Sequence, residues 1–172
     1  FQPDSRFDEH IHDHGEELFV IEGTFSDEYG DYPEGTYIRN PNGTKHSPFS
    51  KNGCKLFVKL RQFDNKDDKK IIINTNKQPW LPGLVKGLEV MPLHNFEHEN
   101  TALVKWDKNT QFNFHQHFGG EEILVLNGTF YDEFGSYPKL TWIRNPHMSK
   151  HTPYTLDDGA LIFVKTGHLL SR

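Results

Sequence analysis

Only one cysteine, Cys54, occurs in the 172 residues, so no internal disulfide frames the fold. A reducing, cytoplasmic setting is the corresponding expectation. No apolar run approaches the roughly 20 residues that a membrane-spanning helix needs. Excess positive charge is missing too. A net charge of −5 offers no broad electrostatic attraction to nucleic acid or to an anionic membrane. No segment sustains the apolar periodicity of a long amphipathic helix. The chain begins at Phe1, without Met or a signal-like apolar segment, which raises the expectation of a missing leading segment. What is abundant is aromatic and turn-forming: 13% aromatics, including 14 Phe, with 14 Gly and 10 Pro. At 34% hydrophobic residues, this mixture suits short strands and tight turns around a modest core.

An internal repeat organises the chain. His10–Pro48 aligns with His115–Pro153 without a gap, at an offset of 105 and with 22 identities in 39 positions. The match resumes after a one-residue slip, from Leu56–Lys59 to Ile162–Lys165. Strands are expected at Glu17–Glu22 and Glu122–Leu126, at Thr36–Arg39 and Thr141–Arg144, and at Leu56–Leu60 and Leu161–Val164. Turn chemistry separates them, as at Asp31-Tyr32-Pro33-Glu34-Gly35. Residues 1–64 form a first domain and 83–172 a second. Residues 65–82 form a charged linker in which Ile71–Ile73 adds an edge strand. The stretch Gly83–Thr110 has no counterpart before His10, which again points to a first domain lacking its leading strands.

The repeat duplicates a set of residues with metal-ligand chemistry. His10, His12, Glu16 and His46 recur as His115, His117, Glu121 and His151. On a strand, residues i and i+2 project from one face, so each His-x-His pair points one way. A small turn at Gly15, or at Gly119-Gly120, can return the glutamate to that face, and the third imidazole arrives from a later strand. Three neutral imidazoles and a carboxylate suit a divalent first-row metal and leave coordination positions open. One His-x-His alone reads as a pair of exposed histidines; the whole set, repeated at one spacing, reads as two metal sites.

Other residues have weaker claims. His14 makes a third alternating imidazole in the first repeat and reads as a loop residue, with spare-ligand and proton-acceptor roles as alternatives. Glu17 and Glu122 fall on the opposite strand face and are structural. Arg39 and Arg144 are expected to pair with the acidic turns Asp27-Glu28 and Asp132-Glu133, with substrate anchoring as a secondary role. Tyr32, Tyr37, Tyr137 and Trp142 read as packing residues. His94, His98, His147 and His168 lack repeated counterparts and are placed on the surface.

The pattern resembles the two motifs of the cupin superfamily. The first, HxH, Glu and Gly, is carried by His10, His12, Glu16 and Gly23. The second, Gly and then PxGxxH, is carried by Gly35, Pro41, Gly43 and His46. The second repeat supplies His115, His117, Glu121, Gly128, Pro146 and His151, with Leu140 and Met148 where glycines are expected. Within the cupins, the HxHxGGEE run, with His14 in place of its first glycine in the first repeat, and the shared DExGxYP, RNP and HxP runs are similar to the ChrR-like family, once per half of the chain. The resemblance implies an all-β fold of two tandem cupin (double-stranded β-helix, or jelly-roll) barrels. It also implies up to two divalent ions per chain, Zn, Fe, Mn or Ni. Small-molecule dioxygenases and related metalloenzymes occur among such proteins. So do oxidative-stress modules like the C-terminal cupin of the anti-ECF-sigma factor ChrR. A small-molecule ligand and a homodimer are the partners to consider. A sigma factor enters only if a missing N-terminal region supplies the contact.

Overall fold

The computed structural model describes residues 1–170; the last two positions of the expected second domain lie outside them. The chain is nearly all β and divides into two compact units, Phe1–Gln78 and Pro79–Arg172. The divide falls inside the expected linker segment. In the first unit the strands are β1 (Ser5–Arg6), β2 (His10–Ile11), β3 (Glu16–Asp27), β4 (Gly30–Pro33) and β5 (Thr36–Asn40). They continue with β6 (Lys45–His46), β7 (Phe49–Ser50), β8 (Cys54–Leu60) and β9 (Ile71–Asn74). The second unit holds β10 (Leu81–Pro82), β11 (Leu88–Phe96), β12 (Glu99–Trp106), β13 (His115–Gln116) and β14 (Glu121–Asp132). Its last strands are β15 (Gly135–Pro138), β16 (Trp142–Asn145), β17 (Lys150–His151) and β18 (Ala160–Thr166).

The two units repeat one pairing scheme. The first half of β3 lies antiparallel to both β5 and β8, and its second half forms a hairpin with β4. In the second unit β14 does the same with β16, β18 and β15. A small separate ladder, β2 with β6 or β13 with β17, carries the histidines. Strand β9 pairs with β5 at the edge of the first unit's sheet, and the β11–β12 hairpin extends the second unit's sheet beyond β18.

Alternation along β3 and β14 decides which side chains form the cores. Leu18, Val20 and Phe25 turn inward with Ile38 and Cys54; Ile123, Val125 and Phe130 do so with Ile162 and Ala160. Cys54 is therefore a buried, free thiol at the start of a strand. Each of the Leu, Val, Ile and Phe side chains contributes about 1.5–3 kcal/mol on leaving water.

The length of β3 and β14 bears directly on the site. Twelve extended residues would separate the strand's ends by about 36 Å. Yet Glu16 at one end and Asp27 at the other both reach His46, at 3.7 and 3.2 Å. The strand must curl. It does so through a bulge between Val20 and Glu22 and a left-handed residue, Gly23, at φ 79°. The second unit repeats the device with a bulge between Val125 and Asn127, and Gly128 at φ 69°. A bulge inserts one unpaired residue and increases the local bend and twist.

Candidate metal centres

Each unit brings three imidazoles and one carboxylate together. His10 and His46 are direct cross-strand partners on β2 and β6, as His115 and His151 are on β13 and β17. His12 and His117 follow one turn of the pleat later, and Glu16 and Glu121 open the long strands. In both clusters one ligand atom from each of the four residues lies within 4.8 Å of the others. In the first, His12 Nε2 stands 3.2 Å from His46 Nε2 and 3.3 Å from Glu16 Oε2. In the second, the corresponding distances from His117 are 3.0 and 3.3 Å. His12, Glu16 and His46 are buried while His10 is exposed; in the second cluster His115 is half-buried.

The donor chemistry fits a cation. His10 Nδ1 faces the Asp8 carbonyl at 3.0 Å, and His115 Nδ1 faces that of Asn113 at 2.9 Å. A carbonyl only accepts, so these rings carry their proton on Nδ1 and present a bare Nε2. Asp27 and Asp132 do the same for His46 and His151, each with Oδ2 3.2 Å from Nδ1. The other oxygen of Asp27 accepts from Tyr29 N, Gly30 N and the Tyr32 hydroxyl, so the hairpin turn itself fixes the carboxylate. Asp132 is held in the same way by Phe134 N, Gly135 N and Tyr137. Glu16 and Glu121 each accept from an asparagine, Asn40 at 2.9 Å and Asn145 at 3.0 Å. Carboxylate–histidine and amide–carboxylate pairs of this kind orient metal ligands and settle their tautomers.

Burial governs the titration. It lowers the pKa of His12, despite Glu16 raising it, and that of His115. His117 is brought down to about 4 by burial, then by His115 and His151. Burial also raises Glu121. Burial thus favours the neutral form of His12, His115 and His117, the form that ligates a metal.

The weaker candidates fare differently. His14 lies on an exposed turn at φ 54°, 3.7 Å from Asp13, outside the four-residue cluster. Arg39 does not pair with the Asp27-Glu28 turn. Its register partner across the sheet is Glu17, and it bonds Glu17 and Asp67 with Phe63 stacked on the guanidinium. Wholly buried, it cannot anchor a substrate. Arg144 pairs with Glu122 at 3.4 Å, since it too projects away from Asp132-Glu133. Those turns serve the site instead: the aspartates hold histidines, and Glu28 and Glu133 accept from Ser47 N and Thr152 N beside the last ligand. His98 and His147 are exposed, but His94 is buried and the His168 side chain is buried against Glu122, contrary to a surface placement. Tyr32 and Tyr37 are buried and Tyr137 is half-buried, whereas Trp142 is 53% exposed. The supporting residues Asp27, Asp132, Asn40 and Asn145 were missed as site residues. Their identity in both repeats was the available signal.

A cavity of about 180 Å³ adjoins the first cluster, with His10 and Glu16 on one side and Phe7, Leu18, Phe25 and Val58 among its apolar walls.

A model of the ChrR cupin-like domain family matches residues 1–64 and again 68–170. Among solved structures, the chain is similar to a protein from Nostoc punctiforme PCC 73102 described as a candidate dioxygenase. That comparison has a TM-score of 0.78 and 18% identity, and covers 100% of this chain and 68% of the other. A cupin 2 conserved barrel domain protein from Leptotrichia buccalis gives 0.67 and 11%, over 96% and 79%. The oxalate decarboxylase of Bacillus subtilis, a protein with Mn(II) centres, gives 0.66 and 14%, over 100% and 68%. At such identities these likenesses establish the fold. No functionally curated protein matches the sequence.

Proposed function

This chain belongs to the ChrR cupin-like domain family, once in each half, and on that premise we propose that it is a two-site metal protein acting as a small-molecule dioxygenase or related metalloenzyme. His10, His12, Glu16 and His46 would hold one divalent ion, and His115, His117, Glu121 and His151 a second. When bound, such an ion supplies Lewis acidity and coordination positions left open by the four protein ligands. The protein's part is to favour the neutral form of His12, His115 and His117, present the Nε2 atoms of His46 and His151 inward through Asp27 and Asp132, and line one side of the first site with apolar side chains. The observation that carries the enzyme reading is the cavity beside His10 and Glu16. At about 180 Å³ it is smaller than the usual 300–1,000 Å³ of drug-sized ligand sites. It therefore suits a small, largely apolar compound with a polar end toward the histidines. The dioxygenase description of the Nostoc relative and the Mn(II) of the Bacillus one are consistent with that choice. A stress-sensing role has only the family description behind it.

Elemental analysis of the purified protein should find close to two metal equivalents per chain. His46→Ala and His151→Ala should each remove about one. Retention of both ions in the double variant would show that the ligands are misassigned. Oxygen uptake by Fe(II)-loaded protein, screened with small diketones and catechols, tests the enzyme reading. Uptake should depend on His46. Its absence across the panel, with metal content intact, would discard the dioxygenase assignment and keep the metal sites.

A further inference from the structure

The two clusters share their four ligands but differ behind one of them. His12 Nδ1 lies 3.0 Å from Thr44 Oγ1, and the single hydroxyl proton of Thr44 goes to the Pro41 carbonyl at 2.6 Å. Oγ1 can therefore only accept from the ring, so His12 carries its proton on Nδ1. His46 does likewise through Asp27. Their bare Nε2 atoms then face each other across 3.2 Å, a repulsive pairing that a shared cation relieves.

In the second unit Ser149 occupies the place of Thr44. Its hydroxyl is buried without a hydrogen-bond partner, and no hydrogen bond among the described residues holds His117 Nδ1. His151 is still fixed by Asp132, so its Nε2 accepts. His117 is free to adopt the opposite tautomer and donate Nε2–H to His151 across 3.0 Å. That bond satisfies the two facing Nε2 atoms without an ion, and it must be given up before His117 can ligate. The chemical difference is one methyl group: a β-branched threonine is stiff about χ1, and serine is not.

We infer that the two sites are unequal: Thr44 is a positioning residue that sets the first to bind a divalent cation more tightly than the second. The inference rests on both clusters being metal sites. Loss of one orienting partner of this type costs roughly 10–100-fold in metal affinity, and a gap of that order is expected here.

The test uses the full chain, stripped by chelation and titrated with Zn(II) against a competing chromophoric chelator. His151→Ala, which keeps the first site, should bind at least about tenfold more tightly than His46→Ala, which keeps the second. Adding Ser149→Thr to His46→Ala should close most of that gap, and adding Thr44→Ser to His151→Ala should weaken the first site. Equal affinities, or no response to the exchange, would overturn the inference. Folded variants that bind no Zn(II) would overturn the metal reading itself. Nitrogen NMR of the metal-free wild-type chain gives a second readout, independent of affinity and of any variant's folding. The proton should sit on Nδ1 of His12 and on Nε2 of His117; Nδ1 protonation of His117 would sink the proposal.

Discussion

Leu140 and Met148 take left-handed backbone conformations, at φ 71° and 65°, where the first unit has Gly35 and Gly43 at 79° and 82°. The turns on either side of β16, the second of which delivers His151, are thus kept in the second unit without their glycines, at a steric cost of about 1–2 kcal/mol per residue for an L side chain. Glycine regains part of this but loses more backbone entropy on folding. Leu140→Gly and Met148→Gly should therefore each stabilise the protein by about 0.5–1 kcal/mol, measured as a shift of the urea midpoint at constant slope. The same kind of residue-level accounting explains the arginines. Arg39 was legible as a charged partner, but which carboxylate it meets depends on cross-strand register. That register places it opposite Glu17 rather than Asp27.

At the level of elements, the site depends on curled strands. Only because β3 and β14 bend at a bulge and a glycine can one strand supply a ligand from its first residue and a supporting carboxylate from its last. A Cβ at Gly23 would stand 2.3 Å from the Gly53 carbonyl, and one at Gly128 would stand 2.2 Å from that of Gly159. Backbone gives way poorly at such contacts, and both glycines are left-handed. Gly23→Ala should destabilise the chain by more than about 2 kcal/mol, combining backbone strain with overpacking. It should also lower metal content by up to one equivalent, through displacement of Glu16 from Asp27. Thermal melting and elemental analysis of the same sample check both effects. A full metal complement with an unchanged melt would show that the bend does not position the ligands.

For the whole molecule, the buried imidazoles link folding to pH. His117 titrates near 4 in the folded state because burial, and then its two neighbouring histidines, oppose its charge; its ordinary value is 6.5. As pH falls below 6.5 the unfolded chain binds a proton that the folded chain refuses, so stability is lost between about pH 6.5 and 4. His117 alone should account for about 2 kcal/mol between pH 7.5 and 5 in metal-free protein. His12 and His115, shifted the same way, add to the decline. Glu121, raised by burial, works against it, because the folded state takes up that proton first. Urea unfolding of the chelated chain at both pH values should show the net loss, and His117→Gln should flatten the slope.

The sequence by itself determined the duplication, the all-β character and the identity of the eight candidate ligands, because periodicity, turn residues and repeated spacing are local properties of the chain. Tertiary structure alone decided what stands behind those ligands: Asp27 on His46, Asn40 on Glu16, Thr44 on His12, and, among the described residues, a Ser149 hydroxyl that makes no hydrogen bond in the corresponding place beside His117. Those partners are separated from their ligands by 19, 24 and 32 residues. Whether they meet depends on strand curl and register, which neither spacing nor residue type encodes. The contrast between Thr44 and Ser149 is visible in the sequence as a conservative change. It gains meaning only when the hydroxyl of one is found beside an imidazole and that of the other is buried without a partner.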